Sequence, residues 1–390
     1  MSLRILNIKD TCTGCSACVA ACPKKALTLS YDEEGFYYPH LANDKCVDCK
    51  ICETVCQVLN DSTPEEPSSN YTAYMLKAKN KDIVKKSSSG GAFSLLAEAI
   101  MLQGGIVFGA RYNYEKERLE HCSTAHCSIE DLRKSKYIES YVGESFIEVV
   151  DCIKRGQSVL FCGTPCQIQG LYDYVKTKKM DTSNLLLVRF VCHGVPSNQF
   201  FTDYKRYEEK RHRAKMVHFD FRPKTRGWRA ADWLMSFENG KTIAESTNYS
   251  HYYYYFQKEY LLRRSCYRCR RVFHEIADIT IADFWAIHTY QPENKDQEGI
   301  SLVLGHTEKG LSAIEAIKSK ADLAVIPNDA FPNIYREARS RSGDTSSREK
   351  EMEEVLKNGY MPVARKRLKM IIIKNKTKDY ISKIIRLFKS

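Results

Sequence analysis

Apolar residues recur along most of this chain at two spacings. From Phe93 to Gln103 they fall three and four apart and stop at Gly104-Gly105, which predicts a helix with a glycine end. Ser145 to Lys154 and Cys166 to Val175 repeat that amphipathic spacing. Between them lie Ile106 to Ala110, Ser158 to Cys162, Leu185 to Val191 and Ile279 to Phe284, short β-rich runs that predict strands. Strands alternating with crossover helices imply an α/β sheet. Two strand-like runs around Glu238-Asn239-Gly240 predict a hairpin, so the sheet is expected to be mixed. Tyr252 to Phe256 (YYYYF) reads as a helix-packing segment.

The ends of the chain follow other rules. Residues 1–60 carry two similar cysteine repeats, and 61–70 (DSTPEEPSSN) has the composition of a linker. Residues 71–335 hold the alternating pattern, 336–361 form a charged connector, and 362–390 form a basic tail. Within the connector, Arg339 to Asn358 reads as a solvated helix or loop. The fold class expected is α+β, a small module followed by a larger α/β domain with a mixed sheet.

Composition is ordinary for a globular protein, at 43% hydrophobic and 28% charged, but sixteen cysteines are not. Met1 to Asp10 lacks the apolar core of a secretion signal, so the cysteines are expected in a reducing cytoplasm, as metal ligands or redox groups rather than disulfides. No run is long and apolar enough to span a bilayer. The net charge is +12, of which the stretch from Arg365 to Ser390 supplies +9. The body therefore gives little reason to expect nucleic-acid binding. In the tail Leu368, Ile371, Ile372, Ile381, Ile384, Ile385 and Phe388 fall at helical spacing among lysines. That pattern suits either a helix packed on the body or a peripheral contact with an anionic inner membrane face or an acidic partner.

The first repeat is Cys12-x2-Cys15-x2-Cys18-x3-Cys22-Pro23, and the second is Cys46-x2-Cys49-x2-Cys52-x3-Cys56-Gln57. Two-residue gaps let a tight loop wrap three corners of a 4Fe-4S cube. In two-cluster ferredoxins the fourth thiolate comes from the other repeat. This assigns Cys12, Cys15, Cys18 and Cys56 to one cluster and Cys22, Cys46, Cys49 and Cys52 to a second. Zinc also uses Cys-x2-Cys pairs, but as two separated pairs rather than four cysteines in one run repeated twice. Gly14 suits a loop that hugs the cube. Gln57 departs from the bacterial ferredoxin pattern, which has proline there.

Of the eight other cysteines, Cys166 and Cys192 follow successive strands in GTPCQ and CHG, and Cys266-x2-Cys269 lies in an arginine-rich segment. Strand ends of an α/β sheet are the usual ligand sites, so these four could face one pocket. Cys122, Cys127 and Cys152 read as small buried hydrophobes.

LFCGTPCQIQGL, VCHGVPS, the CYRC pair and ADITIADFW together resemble the coenzyme F-420 hydrogenase/dehydrogenase beta-subunit family over roughly residues 71–330. Many members of that family carry the same ferredoxin front end. The resemblance implies FAD and a third 4Fe-4S cluster held by Cys166, Cys192, Cys266 and Cys269, with Cys162 the rival for one place. Ser88, Ser89, Gly90 and Gly91, which precede a helix, read as a plain helix cap or as a cradle for the flavin pyrophosphate, and the resemblance adds weight to the cradle. His193 is a candidate proton donor or a neutral neighbour of the cluster. Asp283 could touch flavin or substrate or cap a strand. Ala286 stands where the family often has glycine. Arg222, Lys224, Arg226 and Arg229 around Trp228 form either an anion-binding patch or a solvated loop.

The function expected is an iron–sulfur flavoprotein oxidoreductase, moving electrons between ferredoxin-type clusters and FAD and reducing or oxidising a small molecule or hydride carrier. The alternatives are a deazaflavin (coenzyme F-420) oxidoreductase and an electron-relay subunit without its own substrate. A ferredoxin or another oxidoreductase subunit is the expected partner.

Overall fold

The computed structural model describes residues 3–62, 64, 70–271, 276–327 and 343–387. Near the N-terminus β1 (Leu27–Tyr31) and β2 (Tyr37–Leu41) pair as an antiparallel hairpin between the two cysteine repeats. Then follow β3 (Thr72–Ala78), β4 (Ile106–Asn113), β5 (Arg118–Ser123), β6 (Val159–Gly163) and β7 (Leu185–Phe190). β8 (Met216–Asp220), β9 (Asp232–Phe237) and β10 (Thr242–Ser246) come next, and β11 (Ile279–Asp283), β12 (Ser301–Gly305) and β13 (Ala321–Ile326) complete the strands.

Eight of these form one sheet in the order β13-β3-β12-β11-β7-β6-β4-β5. Its middle, β11-β7-β6-β4, is parallel. These strands read as nearly continuous apolar runs because helices cover both faces. Alternate residues sort to the two sides. Leu160, Leu186 and Val188 meet the helix Ala92–Leu102 through Leu95 and Leu96. Val159, Phe161, Leu185 and Leu187 meet the helices Ser145–Lys154 and Pro165–Thr177 through Phe146, Val149, Ile168 and Leu171. Burying a side chain of this size contributes about 1.5–3 kcal/mol, so two filled faces fix the register of the parallel centre.

The sheet is mixed, for a reason other than the one expected. β5, β12, β3 and β13 join it antiparallel to their neighbours. The hairpin around Glu238-Asn239-Gly240 instead belongs to a separate three-stranded sheet, β10-β9-β8. Its inner face carries Trp233, Met235 and Phe237, which pack on Phe201 and Tyr204 of the helix Asn198–His212 and on Tyr252 of the helix His251–Gln257. The YYYYF segment is thus core packing.

The charged connector is not the solvated segment its composition suggests. Its described part forms the helix Ser346–Asn358, which buries Met352 and Val355, and its Arg348 is fully buried against Glu34 of the β1–β2 turn. Residues 339–342 lie outside the described residues. The helix Tyr360–Leu387 begins by burying Tyr360, Val363, Ala364 and Leu368 in the aromatic core, with Ile371 and Ile372 against it. Further along, Ile373 and Ile381 are half exposed. The start of the tail is therefore a packed helix, while Phe388 falls outside the described residues. Among the described residues, no helix is long and apolar enough to cross a membrane.

Candidate functional site

Both cysteine loops are built on the same backbone. Gly14 (φ 69°) and Ser16 (φ 69°) are left-handed in the first, and Asp48 (φ 53°) and Lys50 (φ 61°) hold the same offsets in the second. Alternating left-handed residues turn the chain tightly enough for its N–H groups to face inward, the geometry of an anion-binding nest. Each loop leads into a short helix, Ala17–Ala21 or Ile51–Thr54. Gly14 has a second constraint: a Cβ there would lie 2.9 Å from both Arg263 Nη1 and Glu139 Oε1.

The thiols gather in the crossed pattern. Burial pushes Cys15 up to about 11, and Cys12 and Cys56 are close enough to raise it further. Cys18 is driven well up by burial and then by Cys15, Cys12 and Cys56. Cys52 is raised to about 11 by burial and Glu53, and it also feels Cys22 and Cys49. Cys22, Cys46, Cys49 and Cys52 line one pocket with Leu3, Leu27 and Leu41. Backbone N–H groups face the sulfurs, among them Ala26 N–H to Cys22 Sγ at 3.2 Å and those of Ala17 on Cys15 and of Val58 and Leu59 on Cys56. Free thiols would gain little from such donors. Thiolates on a cationic cluster gain much. Among the described residues no three His, Cys, Asp or Glu side chains close around a single metal ion, whereas a cube holds its thiolates farther apart.

Cys166, Cys192, Cys266 and Cys269 also meet. Cys166 opens the helix Pro165–Thr177 behind β6, in a capping box made by Thr164 and Gln167. Cys192 follows β7, and its Sγ accepts the Gly194 N–H at 3.4 Å. Gly194 in turn lies against Cys266, to which a Cβ would come within 3.4 Å. Burial drives Cys166 well up, and Cys269, Cys192 and Cys15 raise it further. Cys162, the rival, packs toward the core, is pushed up to about 12 by burial, and has Lys136 as its charged neighbour. Cys122 and Cys152 are buried on opposite sides of the sheet, and Cys127 is partly buried against the same core as Cys122.

The module sits on the body through arginines that the sequence pattern does not single out. Arg263 is fully buried and donates to Cys12 O at 2.7 Å, Tyr37 O at 3.0 Å and Glu139 Oε1 at 2.5 Å. It also stacks 4.2 Å from the centre of the Tyr38 ring. Arg271 donates to Gln57 O at 3.0 Å and pairs with Asp61 at 2.7 Å. Gln57 Nε2 donates to Cys166 O at 2.7 Å, and the same side chain lies beside the Cys15 thiol. A Cβ on Gly170 would lie 2.9 Å from Cys15 Sγ. Arginines flanking the Cys266–Cys269 pair are the available sequence signal, and nothing local marks which of them is buried.

His193 lies 3.3 Å from Glu259 and edge-on to Phe256. In the Ser88–Gly91 loop most polar groups have protein partners. Ser89 Oγ donates to Ile300 O at 2.6 Å, Gly90 N–H donates to Ser301 Oγ at 3.0 Å, and Ser88 Oγ accepts from Ser135 N–H at 2.8 Å. A Cβ on Gly90 would strike Leu76 O, so that glycine allows the loop to pack closely on β3 and β12. Asp283 accepts from Arg222 and Trp228 Nε1, at 3.1 and 2.8 Å. Arg226 pairs with Asp232, and Arg229 donates to Trp285 O at 3.1 Å. Ala286 has φ −77°, which any residue adopts, so the missing glycine changes nothing there. Two half-buried lysines adjoin this region. Burial lowers Lys136 to about 8 and Lys224 to about 7.

Crossed cysteine loops on an α/β domain with a further cysteine group at its strand ends define an iron–sulfur electron-transfer protein. Residues 11–59 match the 4Fe-4S dicluster domain, and residues 156–330 match the C terminus of the coenzyme F420 hydrogenase/dehydrogenase beta subunit. The chain thus carries a 4Fe-4S dicluster domain at its N-terminus, followed by a segment similar to the C-terminal domain of that beta subunit. It is 28% identical over 167 residues to one subunit of the F420H2 dehydrogenase of Methanosarcina mazei, covering 40% of this chain and 46% of that protein. The chain thus spans about half the length of that relative. An uncharacterized ferredoxin of Methanocaldococcus jannaschii is 30% identical over 82 residues, 21% of this chain and 92% of the ferredoxin. The F420-reducing NiFe hydrogenase complex of Methanosarcina barkeri contains a chain with TM-score 0.49 and 16% identity, covering 75% of this chain and 94% of its own.

Proposed function

We propose that the protein is an oxidoreductase subunit that carries electrons through three 4Fe-4S clusters to or from an organic hydride carrier. In this reading Cys12, Cys15, Cys18 and Cys56 hold the inner cluster of the module, and Cys22, Cys46, Cys49 and Cys52 hold the outer one. Cys166, Cys192, Cys266 and Cys269 hold the third. The observation that carries it is the convergence of the last four beside Cys15. When bound, such clusters store and pass single electrons. The protein's own part is to fix their spacing, aim N–H groups at their sulfurs and exclude water with Leu3, Leu27, Phe146 and Leu171.

FAD is the group we propose for exchange between one electron and hydride. Support comes less from the Ser88–Gly91 loop, whose hydroxyls are largely engaged, than from the lysines beside it. Lys224 Nζ donates to Ser89 O at 2.8 Å, and Lys136 follows the serine that binds Ser88. A flavin pyrophosphate near them would push both lysines back toward their charged forms. The relay reading is favoured by the other end of the molecule, where Cys49 and Val47 are exposed and offer the outer cluster to a redox partner.

The test is anaerobic purification followed by flavin extraction and mixing with reduced deazaflavin. Retained flavin, with bleaching of the iron–sulfur absorbance on mixing, supports the oxidoreductase. A flavin-free chain whose clusters are reduced only through a protein partner would replace it with the relay.

A further inference from the structure

The position after Cys56 breaks the ferredoxin pattern, and it lies where the module meets the body. Proline there would have no side-chain donor. Gln57 has one, is 2% exposed, and reaches both sides of the junction. Its Nε2 donates to the backbone carbonyl of Cys166 at 2.7 Å, and its amide lies beside the Cys15 thiol. Arg271 holds the Gln57 carbonyl at 3.0 Å, so the backbone that aims the side chain is itself fixed. Opposite, Cys166 and Gly170 stand one turn apart on the same helix and share a face. Gly170 leaves that face bare, which lets Cys15 Sγ lie where a Cβ would be 2.9 Å away.

We propose that Gln57 is the positioning residue that couples the inner cluster of the module to the third cluster, and that its amide, placed beside Cys15, tunes the potential of the inner one. This rests on the third-cluster reading above. The physical reason is twofold. An N–H directed at a cluster sulfur stabilises the reduced, more negative state and raises the potential. The amide, only 2% exposed, also stands beside a ligand of one cluster while it hydrogen-bonds the backbone of a ligand of the other. One electron leaves one cluster and enters the other, and no bond breaks and no proton moves.

The test uses Gln57→Met, which keeps length without a donor, and Gln57→Pro, which restores the ferredoxin residue. Iron is counted, midpoint potentials are read by redox titration followed by electron paramagnetic resonance, and equilibration between clusters is followed by freeze-quench after rapid reduction. Full iron with a lower inner-cluster potential and several-fold slower equilibration is the expected result. Full iron with potential and rate both unchanged overturns the proposal. If either variant loses iron, Gln57→Glu, isosteric but without the N–H donor, is read in its place, and an unchanged potential there overturns it as well. Failure of the underlying reading looks different: the parent chain itself would then hold about eight iron rather than twelve, whatever stands at position 57.

Discussion

His121 shows how much one buried side chain organises around the cysteines. Its Nε2 lies 3.2 Å from Cys162 O and its Nδ1 lies 3.1 Å from Ser140 Oγ, which in turn accepts from Gln167 Nε2 at 2.8 Å. The ring stacks on Phe161 at 5.1 Å. The chain of donors is satisfied only with Nε2 protonated and Nδ1 bare, the neutral form. Burial accordingly lowers His121 to about 4. The unfolded chain binds a proton here near pH 6.5 and the folded chain does not. Stabilisation from this residue is therefore complete above about 6.5 and is lost as pH falls toward 4. His121→Gln should flatten the fall of the denaturation midpoint between those values, measured side by side so that acid damage to clusters is common to both. An unchanged slope would contradict the neutral assignment. At this scale the site is legible in the sequence where the constraint is local. The spacing of Cys12, Cys15 and Cys18 and the glycine at 14 follow from the loop itself. Arg263 is not legible, because its partner Cys12 lies 251 residues away and no nearby pattern marks it.

At the scale of elements, hydrophobic spacing outlines the centre of the sheet closely. The helix expected at 145–154 is Ser145–Lys154, and β4, β6, β7 and β11 begin within a residue of expectation. Hydrophobic runs buried on both faces are hard to mistake when glycine and proline bound them. The C-terminal connector departs from expectation because charge does not always mean solvent. Arg348 and Glu34 are both charged and both buried, and each is the other's partner. Arg264 adds a second contact to Glu34 at 3.0 Å, and together they hold the carboxyl below its usual range although burial opposes this. This cluster ties the β1–β2 turn to the helix Ser346–Asn358. Glu34→Gln would leave Arg348 buried with a lost counter-charge, a class of change that costs about 3–5 kcal/mol. A marked drop in the denaturant midpoint is expected, and Glu34→Leu with Arg348→Met should recover most of it. A midpoint unaffected by the single change would show that the turn does not depend on the pair.

At the scale of the whole molecule, the module is gripped by the body rather than tethered to it. Arg263 holds the Cys12 and Tyr37 carbonyls, Arg348 holds Glu34, and Arg271 holds Gln57 and Asp61. These contacts set the three cysteine groups in a row. Cys49 is exposed at the outer end, Cys52 and Cys18 adjoin in the middle, and Cys15 faces Cys166 at the inner end. Cysteine spacing identifies the two crossed groups, and the family resemblance names the third. Their order in space depends on how two separately patterned segments dock, which no spacing encodes. In the proposed function, electrons pass between module and body through a third cluster at the end of the row. Iron and acid-labile sulfide quantified per chain after anaerobic purification test it most directly. About twelve iron per chain is the predicted result, and about eight would contradict it.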